Sequence, residues 1–416
     1  MKGRKRHDIA YKCAWVLVRP YLIRKFNYEF DDIDTGYSPY IVVSNHVTNW
    51  DPLLIGMSFK KSMYYVATDH VFRMGFKSKL LKFFFSPIPR VKSINETNTV
   101  INVFRRLKEG SNVCIFVEGN TSFDGETGEM LRSIGKLVKK SGAALVSYRF
   151  LGSYFSFPRW ARFSRKGKMS GRLVDIYSPE KLAAMSEEEI NEIIVRDIYV
   201  NAYDNQKKNP VAYLGKNKAE YLETLLYCCP ACGQFTAITS NGDEVSCPCG
   251  FRVQYNDFGY FEYPPGYLKE KPNAGDKPPF TTVLEWSKWQ KKEIVLLAEK
   301  IKTLSESTPV FSDNSQVLYL IIRASHNTFV AEGKLCFYCN RLAIIPEEGE
   351  PVQFMFTDIV DMAILTMMTI IFSTRENKVY EIHSPYPRNA VKYMELFKAV
   401  KQGQKKDLPP SGDDDR

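Results

Sequence analysis

The segment Ser44-Asn45-His46-Val47-Thr48-Asn49-Trp50-Asp51-Pro52 sets an imidazole and a carboxylate five positions apart. A histidine near its ordinary pKa can take a proton from an alcohol at neutral pH. A carboxylate on its other ring nitrogen fixes the tautomer and steadies the imidazolium. An alcohol activated in this way is itself a nucleophile. With five histidines and 20 aspartates in 416 residues, this spacing arises by chance roughly 0.24 times, so the pattern alone is weak. Placement adds weight. His46 follows the apolar run Tyr40–Ser44, and a second polar turn, Glu118-Gly119-Asn120-Thr121-Ser122, follows Val113–Val117. Both runs read as buried strands, and α/β folds carry their sites just past strand ends. The two turns face one pocket if the strands are parallel neighbours. Each residue also has an ordinary role: Asp51-Pro52 before Leu-Leu-Ile reads as a helix N-cap, and Glu118-Gly119 as a plain turn.

Nine cysteines sort by spacing. Cys229-Pro-Ala-Cys232-Gly and Cys247-Pro-Cys249-Gly form two knuckles 14 residues apart. Four thiolates so arranged suit tetrahedral zinc, with glycines placed for the tight turns. The segment resembles a zinc ribbon, closed and structural, although the second knuckle is C-x-C and Cys228 is an alternative ligand. Cys13 and Cys114 read as buried thiols. Cys336 and Cys339 read as residues on opposite sides of a strand rather than as ligands.

Around these groups the pattern is that of an α/β chain. Tyr40–Ser44, Ser62–Ala67, Val113–Val117 and Ala144–Tyr148 read as strands. Pro52–Phe59, Thr97–Glu109, Leu131–Ser141 and Ser186–Tyr203 read as helices, the last opening on Ser-Glu-Glu-Glu. Residues 9–26 read as an amphipathic helix that Pro20 splits or kinks. It lies on a membrane surface or packs on its own domain. The run Leu80-Leu81-Lys82-Phe83-Phe84-Phe85 admits an acyl chain, dips into an interface, or packs in the core. Pro264–Phe280, with five prolines in 17 residues, reads as a linker. Beyond it, a helix at Thr281–Glu306 precedes several strand-like runs over 316–385 and a helix at Asn389–Lys401, the order of a PH-like β-sandwich or barrel.

Hydrophobic residues are 44% of the chain and charged residues 25%, a mix that excludes disorder and a disulfide-stapled miniprotein. The most apolar window, Ala363–Phe372, is ten residues, short of the ~20 that a spanning helix needs. The basic N-terminus precedes no long apolar run and reads as a poor secretory signal. The net charge of +10 is lopsided: +16 in residues 1–170, −2 in 171–220 and −4 in 221–416. The motif-bearing part therefore seeks anionic partners, whether lipid surface, phosphorylated substrate or nucleic acid. The cysteine region has Arg252 as the sole basic residue of 221–264. Charge and cysteines thus sit apart, and no nucleic acid is expected.

Over about residues 1–215, the order of motifs resembles the glycerolipid acyltransferase family of the lysophosphatidic acid type. Asn45, His46 and Asp51 match its Asn-His-x4-Asp motif, with Thr48 where serine is usual. Ile88-Pro89-Arg90 is similar to the second motif. Phe116-Val117-Glu118-Gly119-Asn120-Thr121-Ser122 is similar to the third, and Ala144–Tyr148 faintly to the fourth. The 72-residue gap from His46 to Glu118 also suits the family.

The resemblance implies an α/β domain with a central, mostly parallel sheet flanked by helices. It implies a catalytic pair, His46 and Asp51, and substrate contacts from Asn45, Arg90, Glu118, Gly119, Asn120, Thr121 and Ser122. Acyl-CoA or acyl carrier protein would be the donor and 1-acylglycerol-3-phosphate the acceptor, with glycerol-3-phosphate or another lysophospholipid as alternatives. Thr121 stands where the family has an arginine thought to hold the acceptor phosphate. That leaves Arg90 and other basic residues, Lys92 or Arg149, and makes a non-catalytic lipid-binding or scaffold protein the rival reading. Oxyanion donors are expected among backbone N–H groups near His46 or Gly119, and Glu118 is expected to orient the acceptor glycerol or a basic side chain. The expected organisation is an acyltransferase domain (1–215), a zinc-ribbon-like module (216–263), a linker (264–280), a helix plus PH-like domain (281–403) and a disordered tail (404–416). The expected location is cytoplasmic and peripheral, on the inner face of the cell membrane, against its anionic surface.

Overall fold

The computed structural model describes residues 2–73, 75–90, 97–264, 280–323 and 326–406. It begins with α1 (Lys2–Phe26), which continues through Pro20. The expected split does not occur, because Pro20 and Val16 one turn before it are both exposed, so water can take the carbonyl that loses its partner. Cys13 on this helix is exposed rather than buried. The chain continues through β1 (Tyr28–Phe30), β2 (Tyr40–Ser44), α2 (Asp51–Gly56), β3 (Met63–Thr68), α3 (Phe76–Phe85), β4 (Ile88–Arg90), α4 (Thr97–Lys108) and β5 (Asn112–Phe116). Then come α5 (Ser133–Ser141), β6 (Ala144–Leu151), α6 (Ser153–Ser156), β7 (Met169–Tyr177), α7 (Pro179–Ala184), α8 (Glu187–Ile198) and α9 (Ala202–Lys208).

The first seven strands form one sheet in the order β1-β7-β6-β2-β5-β3-β4. All neighbours are parallel except β6 and β7. Successive side chains of the central strands point to opposite faces. On one face, Tyr40, Val42 and Cys114 pack with Leu22 and Phe26 of α1 and Leu54 of α2. On the other, Ile41, Val43 and Ile115 pack with Val103 of α4, Val138 of α5 and Ile194 of α8. A sheet buried on both faces explains why β2 and β5 are continuous apolar runs. The helix read at Ser186–Tyr203 is two helices. The Ser186–Glu189 capping box starts α8 as expected, but Val200 leaves the helix to exchange hydrogen bonds with the backbone and hydroxyl of Thr127.

The cysteine region folds as four short antiparallel strands, β8 (Thr239–Asn241), β9 (Glu244–Ser246), β10 (Arg252–Tyr255) and β11 (Phe261–Glu262). Next comes α10 (Val283–Lys300), with a capping box at Thr282 and Glu285. A second seven-stranded sheet follows: β12 (Phe311–Arg323), β13 (His326–Phe337), β14 (Arg341–Ile345), β15 (Val352–Met355), β16 (Ile359–Thr366), β17 (Thr369–Thr374) and β18 (Val379–His383). It is antiparallel throughout, in the order β15-β14-β13-β12-β18-β17-β16. Cys336 is buried in β13, whereas Cys339 falls in the turn before β14, so the two do not share a strand. Finally α11 (Val391–Lys406) closes on the sheet through Tyr393 and Phe397, and runs three residues into the expected tail. Residues 407–416, Lys92 and linker positions 265–279 lie outside the described residues.

One helix ties the parts together. On α10, Trp286 donates to the Cys228 carbonyl (2.8 Å), Gln290 bonds the backbone of Leu225 and Tyr227, and Ser287 donates to Asp124 (2.8 Å). The same apolar cluster runs from Val47 and Tyr154 through the ribbon to the second sheet.

Candidate active site

Strands β2 and β5 pair in parallel with Ser44 opposite Phe116, so the loops after them emerge side by side. His46 leaves the first loop with its ring stacked on Phe116, centroids 4.3 Å apart. Its Nδ1 lies 2.9 Å from Asp51 Oδ2. Asp51 is fully buried and is not a helix cap: α2 is capped at Trp50 with no side-chain bond. Its carboxylate instead turns back to accept from Val47 N (2.6 Å), Thr48 N (2.9 Å) and Thr48 Oγ1 (2.7 Å). The carboxylate that meets the imidazole therefore also folds the loop that carries it.

Glu118, from the loop after β5, clamps the same segment. Its Oε1 accepts the His46 N–H and its Oε2 the Gly128 N–H, each at 2.7 Å. Ser122 N–H closes the other side on the His46 carbonyl (2.8 Å). Glu118 is buried, and burial pushes its carboxyl up to about 8 against the pull of its two backbone donors. It thus orients the His46 backbone rather than a basic side chain. Gly119, at φ +67°, has the Arg90 guanidinium 3.0 Å from where a Cβ would stand. The positive φ favours glycine here, and a side chain would press on the arginine beside it.

His46, Arg90 and Gly119 line one cavity of about 750 Å³, together with Asn49 and Thr68. The rest of its wall is largely apolar, from Leu81, Val100, Val103, Phe104, Ile134 and Leu137, with Lys136 and Lys140 also on it. That volume sits within the ~300–1,000 Å³ of small-molecule sites. The aromatic run on α3 divides by face. Leu81 lines the cavity, Phe85 packs against Tyr11, Trp15 and Tyr65, and Phe76, Leu80 and Phe83 are exposed.

The remaining motif residues stand behind this wall. Asn45 is buried and spends both ends of its amide on the backbone of Phe150 (2.8 and 3.1 Å). Ser122 Oγ donates to the Glu126 carbonyl and accepts from Gly125 N. Asn120 and the Thr121 carbonyl face Arg159. Arg149 points away from the cavity to the Asp197 carbonyl (2.8 Å) and is not a phosphate ligand there. The backbone N–H groups of His46 and Gly119 are already bonded, to Glu118 and to the Phe116 carbonyl. Arg159, Leu365 and Thr366 had no signal in the sequence: none belongs to a motif, and only the fold brings them to this place.

In the ribbon, the sulfurs of Cys229, Cys232, Cys247 and Cys249 lie within 4.8 Å of one another. The Cys229–Cys249 and Cys232–Cys247 separations are 3.7 and 3.9 Å. A tetrahedron with metal–sulfur bonds of ~2.3 Å has edges of ~3.8 Å, so the four can hold a metal ion. Gly233 and Gly250 take the positive φ angles of the knuckle turns, +69° and +91°. Cys228 is outside the group and directs its thiol to the Gly233 carbonyl.

Two outcomes follow from this geometry. Asp51→Ser should lower stability by about 1–3 kcal/mol in thermal or denaturant unfolding, because buried loop donors lose their acceptor; His46→Ala, which removes one exposed-edge ring, should cost less. Between the ordinary carboxylate range and pH about 8, folded Glu118 keeps a proton that the unfolded chain releases. Its contribution to stability is therefore fullest in acid and falls as pH rises through that window. Glu118→Gln should flatten this part of the stability–pH profile; an unchanged slope would refute the raised carboxyl.

Residues 25–150 match the family model described as Acyltransferase. The 1-acyl-sn-glycerophosphate (LPA) acyltransferase PlsC from Thermotoga maritima is 16% identical, over 42% of this chain and 72% of that one, with a TM-score of 0.35. A chain of the 8S snRNP assembly intermediate is 14% identical over 27% of this chain and 94% of its own (TM-score 0.20). The C-terminal domain of an unknown protein from Leishmania infantum is 13% identical over 26% and 95% (TM-score 0.18). No curated protein matches. The histidine–aspartate motif read from the sequence falls within the stretch that the family model matches, and residues 25–150 are an acyltransferase domain.

Proposed function

We propose that this chain transfers an acyl group from acyl-CoA or acyl carrier protein to the free hydroxyl of 1-acylglycerol-3-phosphate. The observation that carries the reading is the His46–Asp51 pair at the wall of a largely apolar cavity that also holds Arg90. Asp51 occupies Nδ1, so Nε2 is the ring nitrogen left to take the hydroxyl proton. The alkoxide oxygen bonds to the thioester carbonyl carbon, and the tetrahedral intermediate collapses with cleavage of the C–S bond. The imidazolium returns its proton to the leaving thiolate. Asp51 holds the ring throughout, while Arg90 takes the acceptor phosphate in a charge-assisted contact. Asn45, Glu118 and Ser122 act as positioning residues of the His46 loop, and Asn120 and Thr121 as its outer support.

Zinc is the metal that best suits four thiolates in a closed site, and its role in the ribbon is structural. In the second sheet, four strands in sequence, three more and a closing helix fit a PH-like module, with domains at 1–215, 216–263 and 281–406 around the 264–280 linker. Among the described residues no helix is long and apolar enough to cross a membrane. Exposed Val16 and Tyr21 on α1, and Phe76, Leu80 and Phe83 on α3, lie among exposed Lys12, Arg19, Arg24, Lys79 and Lys82. Such a mixture supports peripheral attachment to an anionic lipid surface on the cytoplasmic side.

An acyl-transfer assay with acyl-CoA and acyl carrier protein donors and a panel of acceptors tests the reading. His46→Ala should lower turnover by roughly 10²–10⁴-fold while the protein stays folded; retained turnover in that variant, or no transfer by the wild type to any acceptor, rejects it. Metal analysis of the purified chain should return one zinc, lost in Cys232→Ser together with ribbon stability; unchanged zinc would reject Cys232 as a ligand.

A further inference from the structure

Two residues of the second sheet line the cavity of the first domain. Leu365 and Thr366, at the end of β16, share that wall with His46, Arg90 and Gly119. The β16–β17 hairpin reaches this position through two polar ties. Arg159 donates through Nη2 to the carbonyls of Ile364 (3.0 Å) and Leu365 (3.2 Å). Through Nη1 it reaches Asn120 Oδ1 (3.4 Å) and the Thr121 carbonyl (3.5 Å), with its guanidinium over the Phe123 ring. One planar cation thus joins the motif turn to the hairpin, a task that suits arginine's fork of donors. The second tie is the buried contact between Arg73 and Glu381. Glu381 lies on β18 opposite Ile371 of β17, and its other oxygen meets His383 Nε2 at 2.8 Å.

These ties flank Arg90. Arg73 follows the end of β3, where Thr68 is the register partner of Arg90. Asn120 and Thr121 follow Gly119, which lies against the Arg90 guanidinium. Through Leu365 and Thr366 the hairpin therefore shares the cavity with Arg90. Its tip is braced, since Thr366 Oγ1 donates to Thr369 Oγ1 (2.9 Å) and Arg388 donates to the Met368 carbonyl (3.1 Å).

We propose that the β16–β17 hairpin roofs the acceptor's head group and selects it by size, with Leu365 and Thr366 as specificity-determining residues and Arg159 as the positioning residue that holds the roof to the motif turn. This rests on the acyl-transfer reading of the cavity. A phosphate monoester ends at Arg90 and fits beneath the roof. A phosphodiester head group extends beyond Arg90 into Leu365 and Thr366 and is rejected sterically, as pockets reject by clash.

The test compares 1-oleoylglycerol-3-phosphate with 1-oleoylglycerol-3-phosphocholine as acceptors, in the full-length protein and in Leu365→Ala. Wild type should prefer the monoester. Leu365→Ala should narrow that preference by about tenfold, the scale on which apolar pockets discriminate. The gain should come through KM for the phosphocholine acceptor, with the donor chain-length profile unchanged. Arg159→Ala should relax the same preference with lower kcat on both acceptors, and Arg159→Lys should restore part of it. An unchanged preference in Leu365→Ala, or a change confined to the donor chain-length profile, overturns the proposal. If wild type acylates neither lipid, equilibrium binding of the same two lipids decides the roof alone: discrimination lost in Leu365→Ala supports it, and equal discrimination in both proteins overturns it.

Discussion

Burying the Asp51 carboxylate requires that the chain around it supply donors, because a carboxylate taken from water costs several kcal/mol unless it is hydrogen-bonded. The loop after β2 meets that demand by folding back on itself. Val47, Thr48 and the Thr48 hydroxyl converge on Asp51, and His46 Nδ1 completes the set. The histidine's orientation is thus a by-product of satisfying a buried charge. The loop has little freedom to carry the ring elsewhere without orphaning Asp51. Local backbone chemistry thus supplies the first half of the rigid presentation of the base.

Parallel pairing then supplies the second half of the site. With Ser44 opposite Phe116, the loops after β2 and β5 leave the sheet together, and Glu118 can reach the backbone on the other side of His46. The third-motif acid is therefore structural in the immediate sense: both of its oxygens hold main chain. Gly119 beside it leaves room for Arg90. The cavity divides between charged or polar groups, His46, Arg90, Lys136 and Lys140, and apolar side chains of α3, α4 and α5. Such a division matches an amphiphilic ligand.

The position at which the family resemblance breaks, Thr121, is also where the rest of the chain enters. Its carbonyl is one of the oxygens held by Arg159, which carries the hairpin of the second sheet. With α10 packed on the ribbon and bonded to Asp124, the two sheets and the ribbon make a connected body. The distant module belongs to the wall of the site.

Much of this was legible in the residue order. His46 and Asp51 are five positions apart, so their contact needs only one turn of chain, and local spacing reports it. The four cysteines meet across a short connection, again within reach of a motif. The parallel strands β2 and β5 show themselves because burial on both faces leaves no polar residue to break the run. Elements with mixed exposure were harder to read: β7 and β16 carry charged and exposed positions and have no such run, and Pro20 sits in a helix because its exposed side tolerates the lost bond. The use of Glu118 as a clamp, the exclusion of Arg149 and the arrival of Arg159, Leu365 and Thr366 were decided by tertiary structure alone. Each depends on which strands lie side by side and which surfaces dock, and distances of that kind leave no periodicity or spacing in a single chain.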